Sequence, residues 1–162
     1  MMKTTRNKNI PQDPFSKALK YISYKNRSLK EVAEYLKKND YSSEQIKDTL
    51  EKLMDYKFVD DEKFSEVFIR NKQYKGKSKK LISYELKQKG INKELSESAL
   101  ENADEDLITA KNYIKKRISQ FSRLDPEKRK QRIVGRLQSR GYSWDVIKEV
   151  LKQINETTDI ID

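Results

Sequence analysis

The sequence predicts an all-α fold: three tandem copies of a three-helix unit, stacked into an elongated, curved rod. Three observations predict it. One segment recurs without gaps, as SLKEVAEYLKKNDYSSEQIKDTL, SKKLISYELKQKGINKELSESAL and RKQRIVGRLQSRGYSWDVIKEVL. Within each copy the apolar residues fall three or four apart, as in Leu29, Val32, Ala33 and Leu36, which is the stripe of an amphipathic helix and not the alternation of a strand. Residues that start and stop helices recur at matching positions.

Leu36, Leu86 and Leu137 set the register of the copies, at spacings of 50 and 51 residues. The same spacing superposes Val32, Ile82 and Ile133, then Tyr41, Ile91 and Tyr142, then Leu50, Leu100 and Leu151. The middle helix of each unit starts at a cap. Ser28 with Glu31 forms a capping box, Ser78 stands at the same place, and Asp125 precedes Pro126, a favoured first-turn residue. Gly90 and Gly141 end the second and third middle helices in the left-handed conformation, while Asp40 takes that position in the first copy at some steric cost. Ser42, Asn92 and Ser143 then cap the last helix of each unit. A first helix precedes each pair, over Phe15 to Tyr24, Phe64 to Tyr74 and Leu107 to about Phe121.

The predicted organisation is a basic tail over 1–14, repeats over 15–60, 61–103 and 104–155, and a second tail over 156–162, both tails being aperiodic and expected to be disordered. Each unit carries too little apolar surface to stand alone, so neighbours must stack to bury a narrow core. That explains how a chain that is 35% hydrophobic and 38% charged can still fold.

With neither His nor Cys, the commonest general base, thiolate nucleophiles and zinc-thiolate sites are excluded. No catalytic residue, metal site or cofactor is expected. The amino terminus lacks the apolar stretch of a signal peptide and no segment has the length of a membrane span, so a cytoplasmic protein is expected.

The net charge of +10 points to polyanions or acidic protein surfaces as partners. Its sign alternates with the repeats: 1–27, 63–90 and 111–141 are basic, and 28–62, 91–110 and 142–162 are acidic. In a stacked array equivalent surfaces align, so Lys75, Lys77, Lys79 and Lys80 are expected to join Arg129, Lys130, Arg132, Arg136 and Arg140 in one basic face, a better reading than a merely solvated helix surface.

Other motifs read as structure. Asn71 to Ser78, NKQYKGKS, ends like a phosphate-binding loop, but Asn71 replaces the first glycine and a helix precedes it where a strand should, so an interhelical turn with Ser78 as cap is expected. The acidic runs Asp60-Asp61-Glu62 and Asp104-Glu105-Asp106 are expected to complement helix amino ends and not to hold magnesium. Most of the aromatic rings fall on apolar columns and are expected in the core, Tyr74 and Trp144 being the doubtful pair because each lies near a helix end.

Arg27-Ser28 with Glu31 and Leu36, Asp60-Asp61 followed by Phe64, Gly76 before a basic helix, Lys89-Gly90-Ile91 and Arg140-Gly141-Tyr142 occur in an order that resembles the RecX family of recombinase regulators, over about residues 15 to 155. Asp40 and the Lys25-Asn26 step depart from that pattern. The resemblance implies a non-enzymatic, curved nine-helix protein that binds RecA on single-stranded DNA and restrains its recombinase and coprotease activities. It also implies a cytoplasmic role in DNA repair, recombination and the SOS response. Arg27 is counted with the basic face among the expected partner- or DNA-binding residues. Whether the basic face meets DNA phosphates or acidic recombinase side chains stays open, and an autonomous nucleic-acid-binding repeat protein is the second reading.

Overall fold

The computed structural model describes residues 13–158, with side chains to 154. Residues 1–12 of the expected first tail and the last four residues of the second lie outside that range. Among the described residues there are nine α-helices, one 3-10 turn and no strand. The helices are α1 (Pro14–Ser23), α2 (Leu29–Lys37), α3 (Ser43–Asp55), α4 (Asp61–Tyr74), α5 (Lys79–Gln88), α6 (Lys93–Glu101), α7 (Asp106–Lys115), α8 (Pro126–Gln138) and α9 (Trp144–Thr158), with the 3-10 turn at Ile118–Gln120 between α7 and α8.

Every expected cap is present. The Ser28 and Ser42 side chains each close a full capping box, with Glu31 and Gln45. Ser78, Asn92 and Asp125 each accept an amide hydrogen bond from the third residue on, and Ser143 accepts one from Val146. Gly90 and Gly141 have φ of 82° and 85°, and Asp40 takes φ of 64° in their place. Lys57, with φ of 57°, is a second left-handed non-glycine that nothing in the sequence signalled.

The element limits differ from expectation in four places. Asp13 caps α1 through Ser16 and Pro14 opens it, so the helix takes in part of the expected first tail. The helix α4 begins at Asp61 and not Phe64, α7 stops at Lys115 before the 3-10 turn, and α9 continues to Thr158 into the expected second tail.

The chain divides into two compact units, 1–64 and 65–162. In the first, α1, α2 and α3 each pack on the other two around Ala18, Val32, Leu36, Leu53 and Val59. The Tyr21 and Tyr35 rings stack at 3.9 Å beside them. In the second, α5 packs on α6, and α7 and α8 pack on α9. Ala110, Tyr113, Ile114, Phe121, Ile133, Leu137, Tyr142, Ile147 and Val150 form one core there.

Two of the four apolar columns are buried in all three copies: Leu36, Leu86 and Leu137, and Val32, Ile82 and Ile133, all at 1% exposure or less. Each such side chain contributes about 1.5–3 kcal/mol by leaving water. The other two columns are less regular. Tyr41, Leu50 and Leu151 are half-buried, and Leu53, Ile147 and Val150 fill the centre instead. The aromatic expectation needs correction, because Tyr24, Tyr56, Phe58, Tyr74, Tyr84 and Trp144 are exposed while Phe64, Tyr113, Phe121 and Tyr142 are buried. A ring on a helical stripe can sit at the stripe's edge, where its large area reaches solvent.

One contact recurs between successive repeats. The Asp61 carboxylate at the start of α4 accepts a 2.9 Å hydrogen bond from the Leu29 amide at the start of α2. Likewise, Asp106 at the start of α7 accepts one of 2.8 Å from the Lys79 amide at the start of α5. The first amide of α2 and that of α5 have no partner within their own helices, and in both cases the following repeat supplies one. Burial raises the pKa of both carboxyls despite these amide hydrogen bonds. Ionisation therefore opposes folding at each site: the contribution to stability grows as pH falls through the raised value and levels off below the ordinary 3.8.

Asp106→Asn keeps the acceptor and removes the buried charge, so it should stay within about 1 kcal/mol of the parent, whereas Asp106→Ala strands the Lys79 amide and should cost about 1.5–3 kcal/mol. Urea unfolding of the two variants checks this, and equal losses would show that the shared acceptor is not what stabilises the junction.

Candidate functional site

The turn between α4 and α5 organises the basic residues of the second repeat. Gly76 takes φ of 77°, and a Cβ placed there would lie 2.2 Å from a ring carbon of Tyr113 on α7. Only glycine allows that approach. Across the same junction the Ser78 amide donates to the Arg140 carbonyl at 3.0 Å, and a Cβ on Gly141 would lie 2.6 Å from the Ser78 hydroxyl oxygen. The phosphate-loop-like string is therefore an interhelical turn. Its glycine admits a tyrosine ring, its serine caps α5, and its Lys77 pairs with Glu85.

The ten residues expected in the basic interface fall into distinct environments. Glu85 takes ion pairs from both Lys72, at 2.5 Å, and Lys77. Burial opposes its ionisation, but the side-chain hydrogen bonds from these two lysines hold its pKa below the usual glutamate range. Lys79 pairs with Glu105 at 2.8 Å. Arg140 and Arg117 both set their guanidinium groups against the Tyr113 ring, at 4.1 and 4.0 Å from its centroid. Arg136 lies 5.2 Å from the Phe121 ring. Arg129 donates to the Leu124 carbonyl at 3.3 Å. Arg27, in the first unit, lies over Tyr21 at 4.4 Å and 3.5 Å from Glu31.

Lys75, Lys80, Lys130 and Arg132 are the exposed members of the set. The structure thus brings second- and third-repeat cations together at the Ser78–Arg140 contact, but it ties six of the ten to carboxylates, rings or a carbonyl. Cations held in this way order the junction, and they have less to offer an outside phosphate than four open ones.

The acidic runs serve helix amino ends as expected, but through Asp61 and Asp106 those ends belong to the middle helix of the preceding repeat. The sequence reading missed two groups. Arg117 completes the cation pair on Tyr113. Arg70 and Lys116 flank Tyr74 on a pocket whose parts come from α4 and α7, and no local pattern joins those helices. Among the described residues no group of acidic side chains is placed to hold a metal ion, and no helix is long and apolar enough to cross a membrane.

An all-α fold of three three-helix repeats, with cations and aromatic rings where the second meets the third, defines a helical-repeat protein. Family models for the first, second and third three-helix domains of RecX match residues 15–53, 60–100 and 104–151 in that order. The chain belongs to the RecX family. Regulatory protein RecX of Bacillus subtilis strain 168 is 32% identical over 148 residues, covering 90% of this chain and 56% of that protein. Regulatory protein RecX of Oceanobacillus iheyensis is 30% identical over 162 residues, covering 98% of this chain and 60% of that one. The chain therefore spans little more than half the length of these relatives. The crystal structure of RecX from Lactobacillus salivarius superposes with a TM-score of 0.72 at 25% identity, covering 88% of this chain and 94% of that one.

Proposed function

We infer that the chain is a non-enzymatic regulator that binds the RecA filament on single-stranded DNA and inhibits its recombinase and coprotease activities. Membership of a family whose relatives are named regulatory proteins carries the reading. The absence of His and Cys, which removes the commonest catalytic groups, supports a binding role. So do the open cations Lys75, Lys80, Lys130 and Arg132, which suit a polyanionic or acidic partner. Such a protein acts in the cytoplasm, in DNA repair, recombination and the SOS response, and needs no cofactor.

DNA-dependent ATP hydrolysis by RecA, measured with and without this chain, tests the proposal. Micromolar protein should lower the steady-state rate in proportion to its ratio to RecA, and an unchanged rate sinks the reading. The open cations also fit an autonomous nucleic-acid-binding repeat protein, which would bind naked single strands and leave the ATPase untouched once DNA is in excess.

A further inference from the structure

Residues of α4 and α7 in the second unit line a pocket of about 210 Å³. That is smaller than the pockets that hold drug-sized ligands, and it suits one ring system. Tyr74 is 74% exposed, and the Lys116 ammonium sits 4.2 Å from its ring centroid. Thr109 lines the same pocket at 5% exposure, and its buried hydroxyl has no hydrogen-bond partner. A buried hydroxyl left unpaired is unfavourable, and it becomes satisfied when a ligand brings a polar edge to it.

The rim is fixed: the Gln73 amide donates to the Asp104 carbonyl at 2.7 Å and accepts from the Asp104 amide at 3.3 Å. Asp104 belongs to the lining, so its carboxylate repels an anion inside the pocket, whereas a neutral ring bearing amino groups meets no such repulsion. Arg70 and Lys116 are exposed at the pocket and suit anions outside it, and Asn112 adds an amide to the lining. An aromatic face, a hydroxyl and an amide for a polar edge, and two cations for the flanks together match one nucleotide of a flexible strand.

We propose that this pocket is a subsite for one unpaired base of a single-stranded nucleic acid: Tyr74 stacks on the base, Thr109 and Asn112 hydrogen-bond its edge, and Arg70 and Lys116 pair with the neighbouring phosphates. It rests on the reading that single-stranded nucleic acid is a ligand of this chain, and it does not depend on RecA.

The test is direct binding of the full chain to a fluorescent oligonucleotide and to the same oligonucleotide carrying abasic positions, over a range of salt. The parent should bind the intact strand about ten-fold or more tightly than the abasic one. Tyr74→Ala should remove that preference and leave the salt slope unchanged, while Lys116→Ala should flatten the slope by about 0.7. Thr109→Val keeps the side-chain shape, so it should hold or raise the thermal midpoint while weakening binding of the intact strand about three- to ten-fold.

Equal binding of intact and abasic strands by the parent overturns the subsite. That result leaves the RecA reading standing if ATP hydrolysis is still inhibited. A base preference that Tyr74→Ala abolishes supports the subsite even if RecA is unaffected.

Discussion

Replacing Leu86 with Asp should unfold the second unit. Leu86 has no exposed surface, and its column is one of the two that stay buried in all three copies. A carboxylate there has no partner, and burying it costs several kcal/mol, comparable with the whole stability of a small domain. Loss of helical circular dichroism and of a cooperative thermal transition is the expected outcome. Leu86→Ala gives the graded control, at about 2–5 kcal/mol. A normal thermal midpoint in the Asp variant would show that the column does not carry the core.

Reversing the open cations should have the largest effect on binding. If Lys75, Lys80, Lys130 and Arg132 each contact one phosphate, affinity for naked single-stranded DNA should fall with a slope near −2.8 in salt, about fifty-fold between roughly 50 and 200 mM. The quadruple Glu variant should lose most of that dependence and keep its helical content, since all four side chains are exposed. Inhibition of RecA ATP hydrolysis should fall in parallel if the cations face the nucleoprotein filament. Inhibition that survives loss of DNA binding assigns the recombinase contact to another surface. Arg136 and Arg140 are poor choices for such a variant, because each lies against a buried ring and its reversal would disturb packing as well.

The fold was legible because repetition multiplies weak local signals. Ser28, Ser78 and Asp125 are each ordinary cap residues, but at the starts of aligned apolar stripes they fix three helices at once. Helix limits were less legible where tertiary contact decides them: α4 begins early at Asp61, whose carboxylate is held by another helix. The candidate interface was legible only as a list of charges. Whether a lysine faces water or a glutamate depends on partners distant in sequence, as with Lys79 and Glu105. The α4–α7 pocket was hidden for the same reason, although the place of Tyr74 near a helix end already set it apart from the rings expected in the core.

The aspartate that each repeat lends to the helix before it gives the array a polarity. Asp61 serves Leu29 and Asp106 serves Lys79, always backward along the chain. The third middle helix breaks the series, because α8 opens on Pro126, which has no amide hydrogen to offer. A further three-helix unit joined after α9 could not form that bond. Swapping the order of repeats in a recombinant array would accordingly lose this bond wherever the α8 unit is asked to receive an aspartate from its successor. Order along this chain is thus written into single hydrogen bonds as well as into the apolar ladder.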